Sequence, residues 1–151
     1  MIDMKFEGFD ELMAAFNAAA SDSEIEKVDI RIIDQAKQFV HRIMQQKIPT
    51  SADNSKSGRG LKGGGNSRPK SGHAKSNIPI SKTKKSKSGA YADVGWKLED
   101  NSEYFYMKFV NWGTLYMPPR DFTDSTRNLA EAELTRIAES EYQRFLNERL
   151  K

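Results

Sequence analysis

The stretch from Ser51 to Ala90 has almost nothing to bury. It holds seven of the chain's ten glycines and nine serines, with only a few apolar side chains. Ordering such a stretch costs backbone entropy that so little apolar burial does not offset, so it is expected to be mobile in an isolated monomer. Any core must therefore be assembled from the two flanks. Hydrophobic residues make up 37% of the 151, enough for one domain and too few for two independent cores. The expected organisation is a single domain over 1–151, with 51–76 as a flexible basic loop insertion.

Charge divides along the same line. Residues 51–90 carry ten cations, Lys56, Arg59, Lys62, Arg68, Lys70, Lys75, Lys82, Lys84, Lys85 and Lys87, against the single acid Asp53. The chain totals are 24 basic and 21 acidic residues, so 14 basic and 20 acidic residues remain elsewhere. An acidic framework of −6 thus carries a basic arm of +9. Such an arm can neutralise phosphates or dock on an acidic neighbour, and either contact would be salt dependent. No aromatic residue lies between Ser51 and Tyr91, so the arm has no stacking platform of its own. There is no cysteine, which excludes a disulfide framework and a thiolate metal site and suits a reducing cytosol. No apolar run approaches the roughly 18 residues of a membrane span, and Met1-Ile2-Asp3 does not open a signal peptide. A soluble intracellular protein without membrane contact is expected.

The flanks carry clear periodicities. Phe9, Leu12, Met13, Phe16 and Ala20 recur at helical spacing over about 9–20. Ile25, Val28, Ile32, Ala36, Phe39 and Ile43 step by three and four through a longer helix, which Ile33, Val40 and Met44 widen. Ser21 with Glu24, or Ser23 with Glu26, suits its start, and Pro49 stops it. Beyond the arm the pattern shortens. "NIPISKTK" (77–84) reads as a strand that Pro79 restricts to an edge or a strand start. In "GAYADVGWK" Ala92, Val94 and Trp96 share a face, and in "YFYMKFVNW" Phe105, Met107 and Phe109 share one, with "KLEDNSE" as a hairpin loop between. From about Asp121 a helical stripe of Ala130, Leu134, Ile137, Ala138, Phe145 and Leu146 runs to the end. The expected class is α+β: a small antiparallel sheet of about three strands packed against helices, with a long helix in the N-terminal half and another at the C-terminus.

Catalytic and metal-binding patterns are weak throughout. His41 and His73 have no neighbour at ligand spacing, and "GRGLKGGGNS" lacks the residue order of a phosphate-binding P-loop. Asp121 and Asp124 read as a helix cap and first-turn acid in preference to a catalytic carboxylate pair. No catalytic role, metal or cofactor is expected. The densest feature is "FVNWGTLYMPPRDF" (109–122), where aromatic residues, a Gly-Thr pair and two prolines stand between a strand-like run and a helix. Gly113 permits a backbone conformation other residues resist, and Pro118 and Pro119 fix their φ angles, so the connector loses little entropy on ordering. Trp112, Tyr116 and Phe122 supply rigid contact area of the kind enriched where subunits meet. Alternatively, Trp112 and Phe122 close the core under the last helix.

"FVNWGTLYMPPRDF" resembles the corresponding run of the HK97 gp10-like family of tailed-phage neck and tail-completion proteins. In that family a strand ends in a Phe/Val-Glu-Phe-Gly-Thr run, and Met-Pro-x-x-Pro-Phe-type residues open the last helix. "FEGFDELMAAF" (6–16), "VDIRIIDQAKQFVHRIMQQKIP" (28–49) and "DVGW" (93–96) are similar to the family's opening helix, long helix and Val-Gly pair, so the likeness spans nearly the whole chain. Asn111 stands where glutamate is usual, Leu115 where serine is common, and the prolines are adjacent. The resemblance implies a virion structural protein of the neck, acting in head–tail joining or tail completion and assembled in the cytoplasm of a bacterial host. It implies a homo-oligomeric ring, hexamer or dodecamer, around the DNA path, in contact with head-closure, tail-terminator or tail-tube subunits. On this reading Trp112, Gly113, Thr114, Leu115, Tyr116, Met117, Pro118, Pro119 and Phe122 form the assembly interface, and the basic arm meets a neighbour or DNA. The alternative is a small sequence-nonspecific nucleic-acid-binding protein that uses its arm.

Overall fold

The computed structural model describes residues 9–50, 59–60, 66–67 and 73–151. Helix α1 (Phe9–Ala19) leads into the long α2 (Asp22–Lys47), whose start is fixed at Ser21 and Glu24. The Ser21 N–H and Oγ–H both donate to the Glu24 carboxylate, at 2.9 and 3.0 Å. Ile48 turns extended, with ψ 124°, immediately before Pro49, as the proline ring requires. Two short ribbons follow. Strands β1 (Arg59–Gly60) and β2 (Asn66–Ser67) pair with each other, and β3 (Lys84–Ser86) pairs antiparallel with β4 (Gly89–Tyr91). A 3-10 turn at Ala74–Ser76 lies between the ribbons. Helices α3 (Met107–Trp112) and α4 (Phe122–Arg149) complete the chain.

The α+β class holds, with long helices in both halves, but the strands form two separate ribbons among the described residues. The third strand expected at 104–112 is instead a turn followed by α3. Apolar residues fill nearly every position there, so a period of two and a period near 3.6 fit equally, and the aromatic content biases the reading toward a strand. Burial decides it: Tyr104, Met107 and Asn111 are the buried residues, spaced three and four apart. The expected strand at 77–84 shrinks to one bridge, Ile80 to Val94, with β3 beginning only at its last residue. The flexible loop expected over 51–76 does not take in its last residues, because Ala74 is buried in the core, as is Ile78 just beyond. Apart from β1 and β2, the rest of the expected loop (51–58, 61–65 and 68–72) lies outside the described residues.

Helices α2 and α4 run antiparallel along most of their lengths. Their pairing is marked by Glu24 with Arg149, Asp29 with Tyr142 at 3.4 Å, and Gln35 with Glu141 at 2.7 Å. Two cores sit at the ends of this pair. At one end Phe16, Val28, Ile32, Tyr142 and Phe145 pack together, the Phe16 ring lying 4.5 Å from Tyr142 and 5.1 Å from Phe145. At the other, Met44, Ile48, Ala74, Ile78, Tyr104, Met107 and Phe122 form a second cluster, flanked by Val94 and Trp96. Because the partners differ between ends, the buried face of α4 winds around it. Phe122, Thr126 and Ala130 step by four, which drifts about 40° per step, until Glu141, Tyr142 and Phe145 face α1 and α2.

The β3–β4 ribbon is strapped to α2 by polar contacts. Thr83 Oγ1 donates to Asp34 at 2.5 Å and accepts from Lys37 Nζ at 3.1 Å, while Lys85 pairs with Glu26 at 2.5 Å. Thr83 and Lys85 thus face the helix, and Lys84 between them faces solvent.

Candidate assembly surface

The connector after α3 is a closed, braced loop. Gly113 ends the helix with φ 78°, its N–H donating to Phe109 O. A Cβ at this position would lie 2.8 Å from Pro119 N and 2.9 Å from Met117 O, so the two limbs meet across the glycine. Thr114 N–H donates to Met117 O at 2.8 Å, which makes Leu115 and Tyr116 the apex of a tight turn. The Tyr116 N–H also donates to Thr114 Oγ1 at 3.2 Å. On the return limb, the N–H groups of Arg120 and Asp121 donate to the carbonyls of Val110 and Asn111 at 3.0 and 3.1 Å. Both feet of the loop are therefore fastened to the same helical turn.

Its apex is exposed and apolar. Leu115 and Tyr116 are each 97% accessible, and Trp112 at the end of α3 is 50% accessible, with Phe109 one turn earlier also exposed. Lys108 Nζ lies 5.5 Å over the Phe109 ring and donates to Leu98 O at 2.8 Å, holding the edge of this patch in place. Met117 is half-buried, and Thr114, Pro118 and Pro119 are exposed. Phe122 departs from the expected interface: only 3% exposed, it belongs to the second core, with its ring edge-on to Trp96 at 6.3 Å. The alternative of core closure thus holds for Phe122 and fails for Trp112. The two differ because Trp112 ends α3 on its outer side, whereas Phe122 opens α4 pointing inward.

Asn111 has a structural task that its sequence position did not reveal. It is buried, and its Oδ1 accepts the Thr123 N–H at 3.0 Å, satisfying one of the free donors at the start of α4. Asp121, expected as the cap, precedes the helix in a left-handed conformation at φ 42° and makes no side-chain capping bond. Asp124 stands in the first turn, 4.0 Å from Arg127, as expected of a first-turn acid. The sequence signal for Asn111 is faint, since its partner lies twelve residues on in another element.

The basic arm is divided by the fold. Lys56, Lys62, Arg68 and Lys70 lie outside the described residues, as does the side chain of Arg59 in β1. Lys75 is half-buried in the 3-10 turn, where His73 Nδ1 accepts its N–H at 3.0 Å. Lys85 is engaged with Glu26, while Lys82, Lys84 and Lys87 stand exposed on the ribbon.

Among the described residues, no group of three or more His, Cys, Asp or Glu side chains is placed to hold a metal ion. No described helix is long and apolar enough to cross a membrane. A shallow depression at the C-terminal end of α4 is lined by Ser140, Gln143, Arg144, Asn147, Glu148 and Lys151. No family model matches the chain, and neither does any curated protein or solved structure compared with it.

Proposed function

We propose that this chain is a structural subunit of a tailed-phage or prophage neck, acting in head–tail joining or tail completion through a ring built around the DNA path. The observation that carries the reading is the Leu115–Tyr116 apex. Two large apolar side chains are held in water on a loop fastened at both feet, where burial would stabilise by about 1.5–3 kcal/mol each. A flexible loop would let them fold back; this one presents them. Contact area that is rigid before association loses little entropy on docking, which suits a surface made for another chain. The resemblance of 109–122 to the neck-protein connector points the same way, and supports neck and tail subunits as further partners. A ring requires heterologous contacts, in which the apex of one subunit meets a different face of the next. No bond-making role is proposed.

The test is a double variant, Leu115→Ser with Tyr116→Ser. It should keep the helical circular dichroism of the parent, because both side chains are already in solvent within the subunit, and lose only the thermal stability that assembly adds. Sedimentation should show the parent forming rings and the variant remaining monomeric, and phage carrying the variant should yield few infectious particles. Normal titres from the variant would overturn the reading.

A further inference from the structure

The register of the β3–β4 ribbon places an aromatic ring among the exposed lysines. Lys84 is directly opposite Tyr91, Lys85 opposite Ala90, and Ser86 opposite Gly89. Residues directly opposite in an antiparallel pair project from the same face. Since Thr83 and Lys85 reach down to Asp34 and Glu26 on α2, Lys84 and Tyr91 share the outward face. Tyr91 is 43% accessible, Lys82 stands two residues before β3, and Lys87 stands at the turn. Nearby acids are already engaged: Glu26 by Lys85, Asp29 beside Gly89 by Tyr142, Asp34 by Thr83 and Lys37, and Asp93 by Lys97 at 3.4 Å. The outward face therefore joins Lys84 to one open aromatic ring on a backbone braced by α2, with the exposed Lys82 just before the strand and Lys87 in its turn. The missing stacking platform of the arm is supplied by pairing, from a residue just beyond the arm's end.

We propose that this face binds single-stranded nucleic acid, with a base stacked on Tyr91 and flanking phosphates met by Lys82, Lys84 and Lys87. The site goes beyond ring formation and does not depend on it. An aromatic face engages a base only when that base is unstacked, which favours a single strand over a duplex. The lysines contribute charge without reading sequence, and the affinity falls with salt because releasing condensed counterions into a saltier solution gains less entropy.

Fluorescence anisotropy of the full chain with a labelled oligothymidylate across a salt series tests this, with inorganic polyphosphate and a duplex of equal length as competitors. Tyr91→Ala should weaken single-strand binding about tenfold, while Tyr91→Phe retains it. The triple variant Lys82→Ala, Lys84→Ala, Lys87→Ala should flatten the log–log salt slope by about two, the value for roughly three phosphates on a single strand. All four residues are exposed on the ribbon, so circular dichroism and thermal midpoints should be unchanged; a variant that unfolds is replaced by Lys→Gln substitutions or Tyr91→Ser. Equal binding by Tyr91→Ala and parent, equal competition by polyphosphate, or a slope untouched by the triple variant would each overturn the proposal.

Discussion

Asn111 shows how much one side chain can settle at the residue scale. Its carbonyl oxygen caps α4 from a neighbouring helix, while its own backbone carbonyl receives Asp121 N–H. One residue therefore ties the foot of the apex loop to the start of the last helix. Asn111→Ala leaves Thr123 N–H without this acceptor and should lower stability by about 1 kcal/mol, as for lost helix caps. Urea unfolding reads this as a lower midpoint with an unchanged slope. A midpoint equal to the parent's would show that the cap is dispensable. None of this was legible in the chain, because a cap is sought next to the helix it serves, and Asp121 occupies that place. Asp121 fails to cap because its left-handed backbone accompanies no side-chain bond to the first turn.

At the scale of elements, α2 was the most readable part of the sequence. Its apolar stripe, its Ser21–Glu24 start and its stop before Pro49 all appear in the structure as expected. Glu24 also binds Arg149 at the far end of α4, and the Ser21 N–H together with that guanidinium holds its carboxyl down to about 2. A carboxyl held lower in the folded state stabilises that state above its unfolded value, near 4.5, and progressively less as pH falls toward 2. Glu24→Gln should therefore melt below the parent at neutral pH, with the difference closing between pH 4.5 and 2. Thermal scans across that range check it, and a gap that persists at pH 2 would rule out the ionised carboxylate as its source. The opposite case is the run 104–112. Apolar and aromatic residues at nearly every position erased its period, and only packing around Met107 and Tyr104 selected a helix.

For the whole molecule, the decisive feature is that two cores share two long helices. Phe16 is fully buried at the end far from the apex loop, against Tyr142 and Phe145. Phe16→Ala should cost about 3–5 kcal/mol. Because α2 and α4 run continuously into the second core, the loss should appear as one earlier transition for the entire molecule. Near-ultraviolet circular dichroism, which senses Trp96 and Trp112 in and beside the second core, should shift together with the far-ultraviolet signal. Two separated transitions would show that the cores melt independently.

The split in charge, the two long helices and the braced character of 109–122 follow from composition and spacing alone. Periodicity and turn chemistry are local properties, and the chain states them openly. Tertiary structure alone decided that Phe122 turns inward while Leu115 and Tyr116 stand in water, that Asn111 caps a helix twelve residues away, and that Tyr91 faces outward beside Lys84. Phe122 and Asn111 take their places from packing between separate elements, and the side that Tyr91 faces depends on how the β3–β4 hairpin lies against α2. No local pattern encodes those contacts.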